Sequence, residues 1–144
     1  MKKAALFVLI ICLIEMACQP TAIAPVPGSL NGNWKMILVK NNASGSTNLK
    51  PASVQSDVEI TFTTASSILG SFKGKTIHNS FFGDYTIGSY QTMAVPIMGR
   101  TDVMETVWGG FLMDNLRYAQ YYSFQAGNQL IIITEKVTLT FEKL

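Results

Sequence analysis

The sequence predicts a mainly β fold: an antiparallel, barrel-like and strongly curved sheet with one α-helix. Three observations lead to this fold class. After residue 30, apolar and polar residues alternate in several short runs. This period of two is that of a strand with one face on the core. β-branched and aromatic residues dominate these runs. One later segment has the helical period instead, and short turns rather than long crossovers join the strands.

The first predicted strand contains Trp34, Met36 and Leu38, which alternate with Lys35 and Ile37. One face of this strand is therefore expected to lie on the core. A polar loop follows at residues 41–48 (NNASGSTN). Three further short strands are expected at residues 58–63, 68–72 and 84–87.

The last third of the chain predicts a hairpin and a final strand. Residues 121–124 and 129–134 form the two arms, with Ala-Gly-Asn between them. Ile131–Ile133 is continuously apolar, which predicts burial near the middle of a sheet. Glu135-Lys136 marks the turn into a last strand at residues 137–142.

Residues 102–116 break the period of two and predict the helix. Their apolar residues are spaced three and four apart, so they share one helical stripe: Met104, Val107, Trp108, Phe111 and Leu112. Asp102 and Glu105 have the spacing of a capping box, which would make Glu105 a helix-capping residue. Gly109 and Gly110 each cost about 1 kcal/mol relative to alanine in a helix. The helix is therefore expected either to bend there or to have something packed closely against it.

The first residues have the features of an export signal. Lys2 and Lys3 precede an uncharged apolar run at residues 4–14, too short for a helix that spans a bilayer. Ala17-Cys18 after this run resembles the lipobox of bacterial lipoproteins, although Glu15 and Met16 differ from its usual pattern. The resemblance implies a lipoprotein signal peptide over residues 1–17 and acylation of the Cys18 thiol. An ordinary secreted protein with an incidental cysteine is the alternative.

Residues 18–29 are expected to be a tether between the membrane and the folded domain. Three prolines between residues 19 and 28 exclude this stretch from the interior of a sheet. Gln19, where an aspartate would favour retention in the inner membrane, favours the outer membrane, with the domain facing the periplasm. Residues 30–144 have the length of one domain.

The mature composition excludes several function classes. Without Lys2, Lys3 and Glu15, nine basic residues face eight acidic ones, and the cations are scattered, which argues against nucleic-acid binding. No mature segment is long and apolar enough to span a membrane. If Cys18 is acylated and Cys12 removed, no cysteine remains for a disulfide, thiol catalysis or metal ligation.

The catalytic candidates are few. His78 is the only histidine, and it suits a turn better than a catalytic or metal-binding role. Asp84 and Glu105 could in principle serve acid–base chemistry at a glycosidic bond, but nothing in the sequence places them facing each other. The sequence therefore predicts no enzymatic activity, no cofactor and no metal.

The order of several short motifs resembles the META (HslJ-like) domain family over the whole chain after the tether. The motifs are LNGNW at residues 30–34, EITF at 59–62, LGSFKG at 69–74, NSFFGDY at 79–85, TMA at 92–94, Glu105, Leu116 and YYSFQAGNQL at 121–130. The signature positions implied by this resemblance are structural: Trp34, Asn79, Phe81, Gly83, Tyr85 and Glu105. Two cysteines common in the family are replaced here by His78 and Val95.

The resemblance implies a barrel-like antiparallel sheet with a helix, in an envelope domain linked to stress and drug tolerance and without established enzyme activity. Two functions stay open. The first is a lipid-anchored module that binds an envelope protein or the cell wall. The second is a binder of a small apolar ligand in the barrel interior, with adaptable apolar surface from Met93, Met98, Met104 and Met113. Filling of the core is the simpler role for these methionines.

Overall fold

A computed structural model describes residues 29–125 and 128–144. It contains nine strands and one α-helix in these ranges. The strands are β1 (Gly32–Asn41), β2 (Thr47–Leu49), β3 (Glu59–Thr64), β4 (Leu69–Lys75), β5 (Ser80–Ile87), β6 (Met93–Arg100), β7 (Ala119–Gln125), β8 (Gln129–Thr134) and β9 (Val137–Lys143). The helix, α1, is Val107–Asn115, and single 3₁₀ turns precede β6 and β7.

All strand pairs are antiparallel, in the order β6-β5-β4-β3-β1-β9-β8-β7, with β2 paired to the second half of β1. An isolated bridge between Thr92 and Tyr121 brings the two outer strands of this order together. The sheet is thus nearly closed into a barrel. The predicted fold class, mainly β with one helix, is confirmed.

The interior of the barrel is filled by large apolar side chains. The rings of Phe62, Phe72, Phe81 and Tyr85 form a chain with centroid separations of 5.4–6.1 Å. The aliphatic side chains of β3, β8, β9 and α1 complete the core, among them Ile60, Ile132, Leu139 and Leu112. Each such side chain removed from water contributes about 1.5–3 kcal/mol to folding.

The alternation predicted for β1 is wrong at its end. Trp34 and Met36 are buried, but the next buried residue is Val39, and Leu38 is only half-buried. The pairing with β9 shifts register between Met36 and Leu38, so a bulge inserts one extra residue and reverses the faces.

Two strands were not predicted. β2 lies at the end of the predicted polar loop. β6 contains Pro96, which normally argues against a strand. The register shift between Asp84 and Thr86 opposite β6 leaves two residues, Val95 and Pro96, facing Tyr85, so Pro96 lies in a bulge where its missing N–H is tolerated.

The two arms of the C-terminal hairpin, β7 and β8, and the final strand, β9, are confirmed. The predicted position of Ile131–Ile133 near the middle of the sheet is wrong. β8 is next to last in the strand order, and only Ile132 is fully buried, between two half-buried neighbours. Of the four methionines singled out, Met93 and Met113 are buried, Met98 is half-buried, and Met104 is exposed.

The helix is shorter than predicted, and the predicted capping box is wrong. α1 begins at Val107 and its N-cap is Thr106, whose Oγ1 accepts a hydrogen bond from the Gly109 N–H. Residues 101–106 are not helical, and Met104 and Val107 lie in solvent rather than on the buried stripe. The buried face consists of Trp108, Gly109, Leu112 and Met113.

The strand directions define two ends of the barrel. The N-terminal end carries the start of β1 and the loops at residues 65–68 and 88–92. The helix end carries the turn at residues 76–79, the segment 101–106 and α1. Hydrogen bonds from Asn42 to Thr134, Glu135 and Lys136 tie the 135–136 turn to this second end.

Candidate functional site

The most connected polar group of the helix end is the carboxylate of Glu105. It accepts hydrogen bonds from the Thr76 hydroxyl, the Asn79 amide at 3.0 Å and the His78 backbone N–H at 3.3 Å. The Thr106 backbone N–H and hydroxyl donate to its other oxygen at 2.9 and 3.2 Å. Every partner is a donor, and none of them is a cation.

This arrangement holds Glu105 in its ionised form. Burial alone would raise the pKa of Glu105, but the hydrogen bonds from Thr76, Asn79, Thr106 and His78 outweigh it and lower the pKa from 4.5 to about 2. The carboxylate also lies over the first turn of α1, where the helix dipole favours a negative charge. Gly109 provides the space: a Cβ there would come within 2.4 Å of the Glu105 carboxylate. The expected close packing is thus confirmed at Gly109, whereas a Cβ at Gly110 would make only an ordinary contact with Asp114 at 3.7 Å.

Asn79 is buried and uses all of its hydrogen-bonding capacity. Its Oδ1 accepts from the Val103 N–H at 2.8 Å and from the Thr101 hydroxyl at 2.9 Å. Its Nδ2 donates to the Val103 carbonyl at 2.8 Å as well as to Glu105. The side chain of Asn79 therefore pairs with the backbone of Val103 as a neighbouring strand would, and residues 101–106 stay outside the helix.

His78 is exposed in the turn between β4 and β5. Its Nδ1 lies 2.8 Å from the Met104 carbonyl, and because a carbonyl can only accept, this nitrogen carries the proton. The ring does not contact Glu105, which His78 reaches only through its backbone N–H. Asp84 lies exposed on β5, between Ser71 and Ile97, so Asp84 and Glu105 are not brought together.

The remaining signature positions lie in the barrel wall. Trp34 is buried, and its Nε1–H donates to the Leu30 carbonyl at 2.7 Å. Phe81 and Tyr85 point inward from β5, and the Tyr85 hydroxyl lies 3.2 Å from that of Thr64. Gly83 lies between them, where a Cβ would come within 2.2 Å of the Ile97 carbonyl. β6 therefore approaches β5 too closely for any side chain at this position.

Two open clefts lie beside α1 at the helix end. The first, of about 620 Å³, runs between the segment 101–106 and α1 and includes Asn79, Glu105 and Phe111 in its wall. The second, of about 640 Å³, lies between β6 and α1 and includes Ile97 and Tyr118. Arg100 and Asp114 line both clefts and approach each other to 3.5 Å, so their ion pair separates the two.

The rim of the first cleft is apolar and exposed. Met104 is 90% exposed, and Val103 and Val107 on either side of it are also largely in water. These three side chains stand on backbone that Asn79 and Thr106 hold in place. A rigid apolar rim around a cleft is a feature of surfaces that bind another molecule.

Sequence reasoning missed three threonines of this network: Thr76, Thr101 and Thr106. Only Thr106 carried a local signal, because a threonine directly before an apolar run is a preferred N-cap. Thr76 and Thr101 act across 29 and 22 residues of sequence, through Glu105 and Asn79 respectively. No local pattern marks such pairs.

Cys18 and almost all of the predicted tether lie outside the described residues. Within residues 29–125 and 128–144, no helix is long and apolar enough to cross a membrane, and no cluster of three His, Cys, Asp or Glu side chains could hold a metal ion. No protein-family model, curated protein or solved structure matches the chain. The META resemblance therefore stays a prediction from the motifs.

Proposed function

We propose that the chain is a lipid-anchored, non-enzymatic domain of the bacterial envelope that binds a partner protein at its helix end. The observation that carries this proposal is the exposed rim of Val103, Met104 and Val107 beside a cleft of about 620 Å³. The signal peptide, Cys18 and tether expected from the sequence add the anchor. The resemblance to the META family favours the same class of function.

The state of Glu105 argues against acid–base chemistry in this cleft. A general acid or base needs a pKa near the working pH, and the pKa of Glu105 is about 2. Its five hydrogen bonds come from groups of the chain itself, which leaves little capacity for a substrate. The groups around it serve to fix the segment 101–106.

A rigid rim suits protein recognition because less conformational freedom is lost on binding. Met104 adds an unbranched and adaptable side chain at the centre of the rim. Arg100 and Asp114 offer one charge of each sign beside it, which can orient a partner. A partner that places an apolar side chain in the cleft would therefore find both an anchor point and a polar border.

Photo-crosslinking in intact cells tests this proposal. We expect p-benzoylphenylalanine at position 104 to give a discrete protein adduct, and the same group at position 49 to give none. Leu49 is a matched control because it is exposed on β2 and belongs to neither cleft. Val107→Asp should abolish the adduct at position 104, and Leu49→Asp should leave it unchanged.

Absence of an adduct above background, or equal adducts at both positions, would overturn the proposal. An adduct with peptidoglycan in place of a protein would move the partner to the cell wall while keeping the helix end as the binding surface.

The alternative, a small apolar ligand in the barrel interior, requires the rings of Phe62, Phe72, Phe81 and Tyr85 to separate. These rings are now in mutual contact. Saturable binding of a fluorescent fatty acid that Phe72→Ala strengthens would favour this alternative, since the substitution opens a cavity inside the barrel.

A further inference from the structure

The N-terminal end of the barrel also exposes apolar side chains, on two segments that lie next to each other. Tyr90 is 95% exposed, and Ile68 and Leu69 are 57% and 49% exposed. The loop 65–68, which leads into Leu69 at the start of β4, and the loop 88–92 are neighbours. The Ile87 N–H donates to the Ile68 carbonyl at 2.8 Å just before the second loop begins. We call Ile68, Leu69 and Tyr90 the apolar tip.

Tyr90 is held outward by an unusual backbone. Tyr90 and Gln91 have φ angles of 57° and 61°, in the left-handed region that residues other than glycine seldom adopt. Hydrogen bonds from the Gly88 N–H to the Thr92 carbonyl and from the Thr92 hydroxyl to the Ser89 carbonyl close the loop around them. A bulky aromatic side chain is thus presented to the surroundings without support from the core.

The apolar tip is free of charge. Residues 65–72 and 85–99 contain no Asp, Glu, Lys or Arg, and the two loops add only serine, threonine, glutamine, alanine and glycine to the apolar residues. At the helix end, in contrast, the corresponding segments carry His78, Arg100, Asp102 and Glu105. The loops 65–68 and 88–92 can therefore approach a medium of low dielectric constant without removing a charge of their own from water. Lys143, the charged side chain beside Gly32 at this end, lies on β9 and not on these loops.

The chain enters the barrel at the same end. Gly32 pairs with Phe62 at the start of β1, and β3 continues from there into the loop 65–68. Ten residues separate Cys18 from Ser29. Even fully extended they span at most about 33–36 Å, so an acyl chain on Cys18 would keep this end of the domain within roughly that distance of the bilayer surface.

The geometry points to a lipid bilayer as the partner of the apolar tip: the domain rests on the membrane through Ile68, Leu69 and Tyr90, and its helix end faces away. This inference rests on the lipid anchor of the proposed function. Tyrosine favours the interface between headgroups and acyl chains, and isoleucine and leucine favour the hydrocarbon beneath it. The contact orients the partner-binding cleft away from the membrane.

Quenching by brominated lipids tests this inference. The acylated full chain is placed in vesicles of phosphatidylcholine brominated near the headgroup end of the acyl chains, as the variant Tyr90→Trp or the variant Met104→Trp. The two positions are a matched pair, since both are at least 90% exposed and they lie at opposite ends of the barrel. Trp34 and Trp108 are buried and contribute the same background to both variants.

We expect at least a twofold loss of the added fluorescence for Tyr90→Trp and none for Met104→Trp. Ile68→Asp should reduce the quenching of Tyr90→Trp, and Ile97→Asp at the helix end should leave it unchanged. If the chain remains with the vesicles but neither variant is quenched, or both are quenched equally, the inference is overturned and the anchor stands. If the chain, with Cys18 intact, fails to remain with the vesicles, the anchor of the proposed function is overturned together with the inference.

Discussion

The two ends of the barrel differ in how their residues are held. At the helix end, Glu105 and Asn79 join the turn 76–79 to the segment 101–106 through a network in which each polar group has a partner. At the N-terminal end, the loops 65–68 and 88–92 are closed by a few local hydrogen bonds and carry their apolar side chains in water. The difference indicates that the fold depends on the helix end and that the N-terminal loops are available for contact.

The largest expected difference between the two ends is in their tolerance of a methyl group added at a glycine. In Gly74→Ala the Cβ would lie 2.3 Å from both the Glu59 carbonyl and the Phe81 ring, so backbone and core must move. We expect a loss of about 3 kcal/mol in the free energy of unfolding. In Gly88→Ala the new Cβ meets the hydroxyl of Thr92, which can rotate away if it gives up its exposed hydrogen bond to Ser89. The loss should therefore stay below about 1 kcal/mol. Urea unfolding measures both, and equal losses would contradict the contrast.

Asn79→Ala removes the side-chain hydrogen bonds that fix the segment 101–106. It leaves the Val103 N–H and carbonyl without partners in a partly buried region and removes one hydrogen-bond donor to the Glu105 carboxylate. We expect a loss of about 2–3 kcal/mol, because unpaired buried groups cost about 1–3 kcal/mol. Asn33→Ala is the matched control at the N-terminal end, where the side chain makes one exposed contact with Thr61. A larger loss in the free energy of unfolding for Asn33→Ala than for Asn79→Ala would contradict the conclusion that the fold depends on the helix end.

Glu105→Gln tests the charge of the network. Both oxygens of the Glu105 carboxylate accept hydrogen bonds, whereas the amide nitrogen of glutamine can only donate. One set of donors therefore loses its acceptor, and we expect a loss of about 2 kcal/mol in the free energy of unfolding at pH 7. The wild-type chain should also lose stability on acidification. Because the pKa of Glu105 is about 2 when folded and 4.5 ordinarily, its contribution is complete above about pH 4.5 and disappears as the pH falls towards 2.

Thermal unfolding between pH 2 and 7 would show this component in the wild type and not in Glu105→Gln. The hydrogen bond with Lys50 is the main cause that lowers the pKa of Asp57, so Asp57 supplies an acid-sensitive component to both chains. Parallel pH profiles for the two chains would show that Glu105 carries no special charge interaction.

The two tryptophans give the smallest expected difference. The Nε1–H of Trp34, at the N-terminal end, donates to the Leu30 carbonyl, whereas that of Trp108, in α1, is buried without a partner among the described residues. Trp34→Phe therefore breaks a hydrogen bond, and Trp108→Phe removes an unpaired donor. We expect Trp34→Phe to be the more destabilising by about 1 kcal/mol, as measured by circular dichroism during urea unfolding. The reverse order would contradict this assignment.

Most of the fold could be predicted because alternation is a local signal. Where prediction fails, a non-local feature has intervened. A bulge opposite β9 buries Val39 in place of Leu38. A second bulge admits Pro96 into β6. Residues 102–106 have the helical spacing, but Asn79 bonds to the backbone of Val103, and the helix begins only at Val107.

Less of the candidate site could be predicted. The resemblance predicts Asn79 and Glu105 as structural positions, and the spacing from Asp102 independently predicts Glu105 as a helix cap, whereas nothing predicts their partners Thr76, Thr101 and Thr106. The carboxylate of Glu105 accepts hydrogen bonds from its neighbour Thr106 and from Thr76, which is 29 residues away in the sequence. The sequence around either residue gives no sign of the other. The predicted capping box and the observed network both involve the carboxylate of Glu105, but in the structure it accepts hydrogen bonds from Thr76, Asn79 and Thr106 and does not cap the helix at residue 102.

The central claim, that the two ends of the barrel have different partners, can be tested by hydrogen–deuterium exchange of the acylated chain with and without vesicles. We predict that membrane binding slows exchange at residues 65–69 and 88–92 and leaves residues 101–107 unchanged. Slower exchange at residues 101–107, with no change in the two N-terminal loops, would contradict the claim.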